Sequence, residues 1–224
     1  MIRREKFPKV FFGWWTVLAG SLSSAWAIGF QVHGFSALFK PIASEFGFSR
    51  TVTSVATSIT RAARGIESPL IGGLVDRFGP RLLIIIGVFI AGLGLILMNF
   101  IHSLWTFYIV WGVILGTGIS IGSEIPVDKA VTSWFVKKRG IALSVRWLLT
   151  GFAGLVLLLV GWLVSTQGWR ITCVIGGLGM WFVGLPLAWL FVKPRRPEYY
   201  GLLPDGATTE VEPEEKVSGM IDRA

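Results

Sequence analysis

One cysteine and two histidines are all the sequence offers in 224 residues. A lone Cys173 excludes an intrachain disulfide and any metal site built from several cysteines. Charge is scarce as well, at 15% of residues, where a soluble globular domain carries about 25%. A chain so poor in charge cannot cover itself with a polar surface, and lipid is its expected solvent. There is no Walker loop, no HExxH, no GxSxG and no metal-ligand spacing, so no nucleophile–base pair or metal cluster presents itself for an enzyme. The glycines of "GGLGMWFVG" sit inside an apolar helical pattern and are no phosphate cradle.

Abundance points the same way. The chain is 53% hydrophobic, with 28 glycines and 11 tryptophans, and its mean hydropathy is +0.66. Glycine allows close helix approach in lipid, and tryptophan favours the headgroup boundary. Crossing the hydrocarbon takes roughly 20 apolar residues in a helix, because no backbone group can stay unpaired there. Six stretches qualify, at about 13–37, 52–75, 82–101, 104–126, 140–165 and 170–192. The expected fold is all-α and integral to the membrane, with six transmembrane helices. Residues 1–12 form an N-terminal segment, 13–192 the bundle and 193–224 a tail. The tail is rich in proline, glutamate and glycine without apolar period, which predicts disorder. The basic start resembles a signal peptide, but the apolar run after it is too long and no small-residue cleavage site follows promptly, so it reads as a retained end.

The net charge of +8 does not call for nucleic acid, because the cations cluster between apolar runs and not along a solvated face. One side collects Arg3, Arg4, Lys6, Lys9, Arg77, Arg81, Lys129, Lys137, Lys138, Arg139, Lys193, Arg195 and Arg196. The other holds only Lys40, Arg50 and Arg170. The positive-inside rule makes the first side cytoplasmic, with both termini inside a cell (inner or plasma) membrane.

"GGLVDRFGPR", residues 72–81, concentrates turn residues and charge between the second and third spans. Gly79 and Pro80 supply the reversal, and Gly72 and Gly73 allow close approach of a neighbour. Asp76, an acid on a basic face, requires a donor such as an arginine or a helix N-terminus. Gly72, Asp76, Arg77, Gly79 and Arg81 resemble, in spacing and place, the loop-2–3 signature of the major facilitator superfamily. "FFGWWTVLAG", "LFKPIASEFGFSR", "WFVKKRGIALS", "GWR" and "EYYGLLPDG" narrow the resemblance to the oxalate/formate antiporter and monocarboxylate transporter branch, over residues 11–206.

That resemblance implies one half of a major facilitator fold. It implies a secondary transporter of small organic anions such as monocarboxylates, working by alternating access between two halves. It further implies that the loop motif is a conformational switch, that spans 1, 2, 4 and 5 line the path and that spans 3 and 6 lie peripherally. Two positions depart from relatives. No proline occurs between Pro126 and Pro186, so span 5 lacks one source of a gating bend, and Gly112 stands where some relatives carry an arginine. Relatives have twelve spans and this chain stops in the equivalent of the central loop, so a truncated or split fragment without transport of its own is the alternative reading.

Ionisable groups inside a span cost at least ~2.5–3.5 kcal/mol each and face a cavity or a partner. In span 2, Ser54, Thr57, Arg61, Arg64 and Ser68 form one polar stripe at helical spacing. Hydroxyls with two guanidinium groups suit a carboxylate-binding wall. Arg64 could instead pair with Glu67 three residues on. Glu124 and Arg146 fall at similar depth and could pair across helices, or Arg146 could meet substrate. Glu67 and Glu124, with Asp76, are the acids available for proton coupling. Gln31 and His33 near the outer end of span 1 are weaker signals. Gly112 and Gly116, then Gly118 and Gly122, predict a close-packing face on span 4. The expected partners are the bilayer, a small organic anion and a second six-helix half or a second copy, with no cofactor, metal or nucleic acid.

The topology has a direct check. With Cys173 as the one native cysteine, a cysteine placed at Ser103 or Thr166 should react with an impermeant reagent on intact cells, and one at Ser218 should not. Reaction at Ser218 reverses the orientation.

Overall fold

The computed structural model describes residues 11–47, 49–193 and Asp205, and among them every regular element is helical. The expected segment 1–12 and the tail beyond Lys193 fall almost wholly outside the described residues. The chain runs α1 (Phe12–Ile28), a π-helical segment (Gly29–His33), α2 (Phe35–Phe46), α3 (Arg50–Phe78) and α4 (Pro80–Leu97). A short 3-10 turn (Met98–Phe100), α5 (Leu104–Phe107), a second π segment (Tyr108–Leu115), α6 (Gly116–Gly122) and α7 (Ile125–Trp134) follow. The remainder is α8 (Arg139–Thr150), α9 (Ala153–Gln167), α10 (Trp169–Gly179), a third π segment (Met180–Gly184) and α11 (Leu185–Phe191).

These elements join into six helical runs near the expected positions. Four of them, Pro80–Phe100, Leu104–Trp134, Arg139–Gln167 and Trp169–Phe191, are long and apolar enough to cross a membrane. The first two runs match in place but are less apolar. The first turns at Gly34 between its π segment and α2, and α3 carries Arg61, Arg64 and Glu67. The first run also continues beyond residue 37. The "FKPIASEF" stretch stays helical to Phe46 because α2 buries Phe35, Leu38 and Ile42 along one face.

The turns follow from backbone chemistry. Gly79, at φ +82, closes α3 through its N–H to Val75 and opens α4, whose first residue is Pro80. Gly168, at φ +82, makes the corresponding joint between α9 and α10. Proline suits a first helical turn, where its missing N–H has no partner to lose. Ser103 and Thr106 form a reciprocal capping box at the start of α5.

Glycine packing appears on one half of the predicted stripe. A Cβ on Gly118 would meet the backbone of Ala91 at 2.5 Å, and one on Gly122 would meet Gly87 at 2.9 Å. These contacts bring α4 and α6 backbone to backbone. Gly112 and Gly116 face α3 instead, against Ile59 and Thr60, with more room. Gly72 and Gly73 differ from expectation: nothing lies within 4 Å of a Cβ at either, and this end of α3 packs instead through Ile71 and Val75, against Leu83, Ile121 and Ile125.

Span 5 is interrupted without proline. Helical continuity breaks at Gly151 and Phe152, between α8 and α9, where the Gly151 N–H reaches both Trp147 and Leu148. Spans 3 and 6 are not the most exposed of the four apolar runs, since α8–α9 bury the smallest share of their surface. Leu148, Leu155 and Leu158 stand open there, and Ile66 and Leu70 of α3 are likewise exposed. The first and sixth runs lie side by side: Thr16 donates to the Phe191 carbonyl at 2.8 Å and Trp26 Nε1 to Gly176 at 3.0 Å. At the far end Glu45 accepts from Trp169 Nε1 at 2.7 Å and pairs with Arg170 at 2.7 Å.

Gly87→Ala should therefore lower the thermal midpoint of the detergent-solubilised chain, because its Cβ would meet Gly122 N at 2.2 Å. Overpacking of this kind costs about 1–3 kcal/mol. Gly72→Ala, in open space, should leave the midpoint in place or raise it slightly.

Candidate functional site

A cavity of about 330 Å³ opens between the first, second and fourth runs, lined by Gln31, Val32, Phe35, Thr57, Thr60, Arg61, Arg64 and Trp111. Two of its walls are π-helical: Gln31 and Val32 belong to the segment after α1, and Trp111 to the segment after α5. A π turn inserts a residue into the helical ladder and re-aims side chains, which is why such turns gather at functional sites. Helical spacing alone identified Thr57, Arg61 and Arg64, and the structure brings them together. Ser68 is exposed and does not line the cavity, and of Ser54 only the backbone is described.

The two arginines differ in state. Arg64 donates to Gln31 Oε1 and faces Glu124 at 3.6 Å. Arg61 has neither an ion pair nor a hydrogen bond among the described residues, and it is exposed in the cavity. The local Arg64–Glu67 pairing does not form. Glu67 instead accepts from Thr117 of α6, because α3 points it at the fourth run. Gln31 was the weaker reading in the sequence, yet it is nearly fully buried and holds Arg64. A glutamine near a helix end carries no periodic signal, and the flanking Gly29 and Gly34 were the available hint.

Arg146 lies elsewhere. It is fully buried, it is not part of the cavity lining, and its acid is Asp128 at 3.3 Å, not Glu124. The reason is backbone chemistry. Span 4 breaks between α6 and α7, at Ser123 and Glu124, and the Ser123 carbonyl is left outside a regular helix. Arg146 Nη2 donates to that carbonyl at 2.6 Å, and Ser24 donates to it at 3.1 Å. Ser21 and Thr150 in turn donate to the Arg146 carbonyl. Spans 1, 4 and 5 thus meet at one guanidinium.

At the end of the bundle that carries Gly79 and Phe135, Asp76 pairs with Lys129 of α7 at 2.9 Å. The expected donor was an arginine or a helix N-terminus, and the structure supplies a lysine instead. Arg81 donates to the Trp189 carbonyl at 2.8 Å and lies over the Trp189 ring at 4.4 Å, while Arg77 lies over Phe78. The motif therefore reaches span 4 through Asp76 and span 6 through Arg81. Among the described residues no group of three His, Cys, Asp or Glu stands close enough to hold a metal ion.

A bundle of apolar helices with an arginine-lined cavity and this loop is the architecture of a membrane carrier. The chain belongs to the Major Facilitator Superfamily, whose match covers residues 17–214, and it is a multi-pass membrane protein of that transporter family. It is 28% identical over 177 residues to the uncharacterized MFS-type transporter YcxA of Bacillus subtilis (strain 168), covering 77% of this chain and 43% of that protein. It is 31% identical over 166 residues to monocarboxylate transporter 6 of Homo sapiens, covering 73% of this chain and 32% of that one. With monocarboxylate transporter 4 of Mus musculus it shares 32% identity over 132 residues, 58% of this chain and 28% of that protein. The chain spans less than half the length of these curated relatives.

Arg146→Met keeps length and removes the donor. It should lower the thermal midpoint of the purified chain, since it leaves Asp128 without its cation and the Ser123 carbonyl to the Ser24 hydroxyl alone, and losing one partner of a buried polar group costs about 1–3 kcal/mol. An unchanged midpoint would show that the Ser123 carbonyl needs no cap from this side chain.

Proposed function

We propose that this chain forms one six-span half of an alternating-access carrier for small organic anions of the monocarboxylate class. The observation that carries the reading is Arg61, a cation in the cavity with no acid of the described residues paired to it. A guanidinium held this way offers two parallel donors to a carboxylate. Thr57 stands on the same wall, and Val32, Phe35 and Trp111 supply apolar surface for a short carbon chain. Arg64, tied to Gln31 and Glu124, sets the shape of the wall and is the second cation within the site. Arg146 supports the helix break behind it. The names of the monocarboxylate relatives agree with an anionic substrate.

Substrate in this reading sits between two such halves, as the pseudo-symmetric carriers require. The second half is a further part of a longer polypeptide or a separate chain, and the exposed apolar faces of α3 and α8–α9 are where it packs. The end of the bundle that carries Gly79 and Phe135 is cytoplasmic, as are both termini, and Gly72, Asp76, Arg77, Gly79 and Arg81 form the switch. Asp76–Lys129 and Arg81–Trp189 are its closed contacts. A proton, where one is carried, rides on Glu124, which faces Arg64 of the cavity, or on Glu67, which accepts from Thr117.

Uptake of a labelled monocarboxylate by cells expressing the protein tests the reading. Arg61→Ala should reduce uptake at least 100-fold with unchanged membrane abundance, and Ser68→Ala should change it less than two-fold. Uptake that survives Arg61→Ala removes the assignment. The purified chain should also run larger than one copy in its micelle, because Arg61 facing lipid costs several kcal/mol.

A further inference from the structure

Asp205 follows span 6 in the sequence, in the "LLPDG" stretch, and its partners lie 67 to 69 residues earlier in the chain. Its carboxylate accepts from the backbone N–H groups of Val136 at 3.1 Å, Lys137 at 2.7 Å and Lys138 at 3.0 Å. These three residues form the joint between α7 and α8. The extended Phe135 ends α7, and Lys138 precedes α8 with no side-chain cap of its own. N–H groups ahead of a helix have no intrahelical acceptor, and the local sequence "FVKKRG" contains no acid to serve. Asp205 adopts φ +60, the only positive φ among the described non-glycine residues. Aspartate is one of the few residues that tolerate that conformation, and its short side chain reaches the joint from it.

We infer that Asp205 is a positioning residue: it clamps the α7–α8 joint from the segment beyond span 6 and thereby sets the placement of α7, on which Asp76–Lys129 and Asp128–Arg146 depend. Both of those ion pairs use residues of α7, and Arg146 lies on α8. A joint free to swing would move the two helices independently, and a joint capped by a fixed carboxylate moves them as one. Partial burial pushes the Asp205 carboxyl up, but the three N–H donors and the Lys138 charge outweigh it and hold it below the ordinary carboxylate value. The carboxylate is thus ionised at neutral pH. Lys137, Lys138 and Arg139 crowd the joint with positive charge, so the clamp also supplies the neutralising acid.

The test reads geometry and needs no transport, so its failure is separate from failure of the carrier reading. Hydrogen exchange of the full chain in nanodiscs should show the amides of residues 136–138 protected. Asp205→Asn and the truncating Asp205→Ala should each speed their exchange at least ten-fold, while Glu210→Gln leaves it unchanged. In a Cys173→Ala background, cysteines at positions 76 and 129 should form a disulfide readily, and either Asp205 variant should cut the yield at least three-fold. Unchanged exchange at 136–138 overturns the clamp. Faster exchange with an unchanged disulfide yield reduces Asp205 to a local cap and overturns its positioning role.

Discussion

A carbonyl set free inside a membrane helix must find a donor, because the hydrocarbon offers none. The break between α6 and α7, at Ser123 and Glu124, creates that need in span 4, and Arg146 answers it at the Ser123 oxygen. The rest of the central packing is arranged around this contact. Ser24 brings span 1 to the same carbonyl, Ser21 reaches the Arg146 backbone, and Asp128 neutralises the guanidinium from the next turn of α7. A buried arginine is expensive in isolation, and here its positive charge is shared among an acid, a carbonyl dipole and the face of Trp147 at 4.2 Å. The break that costs a regular helix in span 4 also leaves Glu124 facing Arg64 of the cavity wall.

Much of this was legible in the residues. Four apolar runs, the Gly79–Pro80 reversal and the shared face of Thr57, Arg61 and Arg64 on α3 follow from local rules of length, turn chemistry and period, while Ser68 of the expected stripe lies outside the cavity. The partners of the buried charges did not follow. Depth along a helix can be estimated from sequence, but azimuth between helices cannot, so Glu124 and Arg146 were matched by depth while each found a different partner. Gln31 was underweighted because a π turn, invisible to a 3.6-residue period, swings it into the cavity. Span 5 shows the reverse case: the absence of proline spoke against a bend there, yet helical regularity is interrupted at Gly151 and Phe152.

The cavity is asymmetric in a way that bears on its chemistry. One arginine is committed to neighbours and one is not, so the wall has a fixed cation and an available one. The committed arginine keeps Gln31 and Glu124 in register across three helices, and the available one retains its donors for a ligand. Charge balance within the described residues is thereby left open at one position only within the cavity, beside the aromatic surface of Phe35 and Trp111. In the proposed reading such a site takes a carboxylate, whose charge and two acceptor oxygens match a guanidinium's paired donors.

The adjacency of the first and sixth runs sets the timing of assembly. Thr16 and Phe191 are 175 residues apart in the chain, and Trp26 with Gly176 and Glu45 with Trp169 are separated by 150 and 124. During synthesis, at roughly 5–20 residues per second, the first helix is made well before its last neighbour exists. For that interval its Thr16 hydroxyl and Trp26 indole lack their final acceptors. The bundle is therefore an assembly whose opening helix waits on its closing one. Stalling of the ribosome before residue 191 would leave a partner-seeking helix in the bilayer, open to whatever quality-control machinery recognises unsatisfied polar groups in lipid.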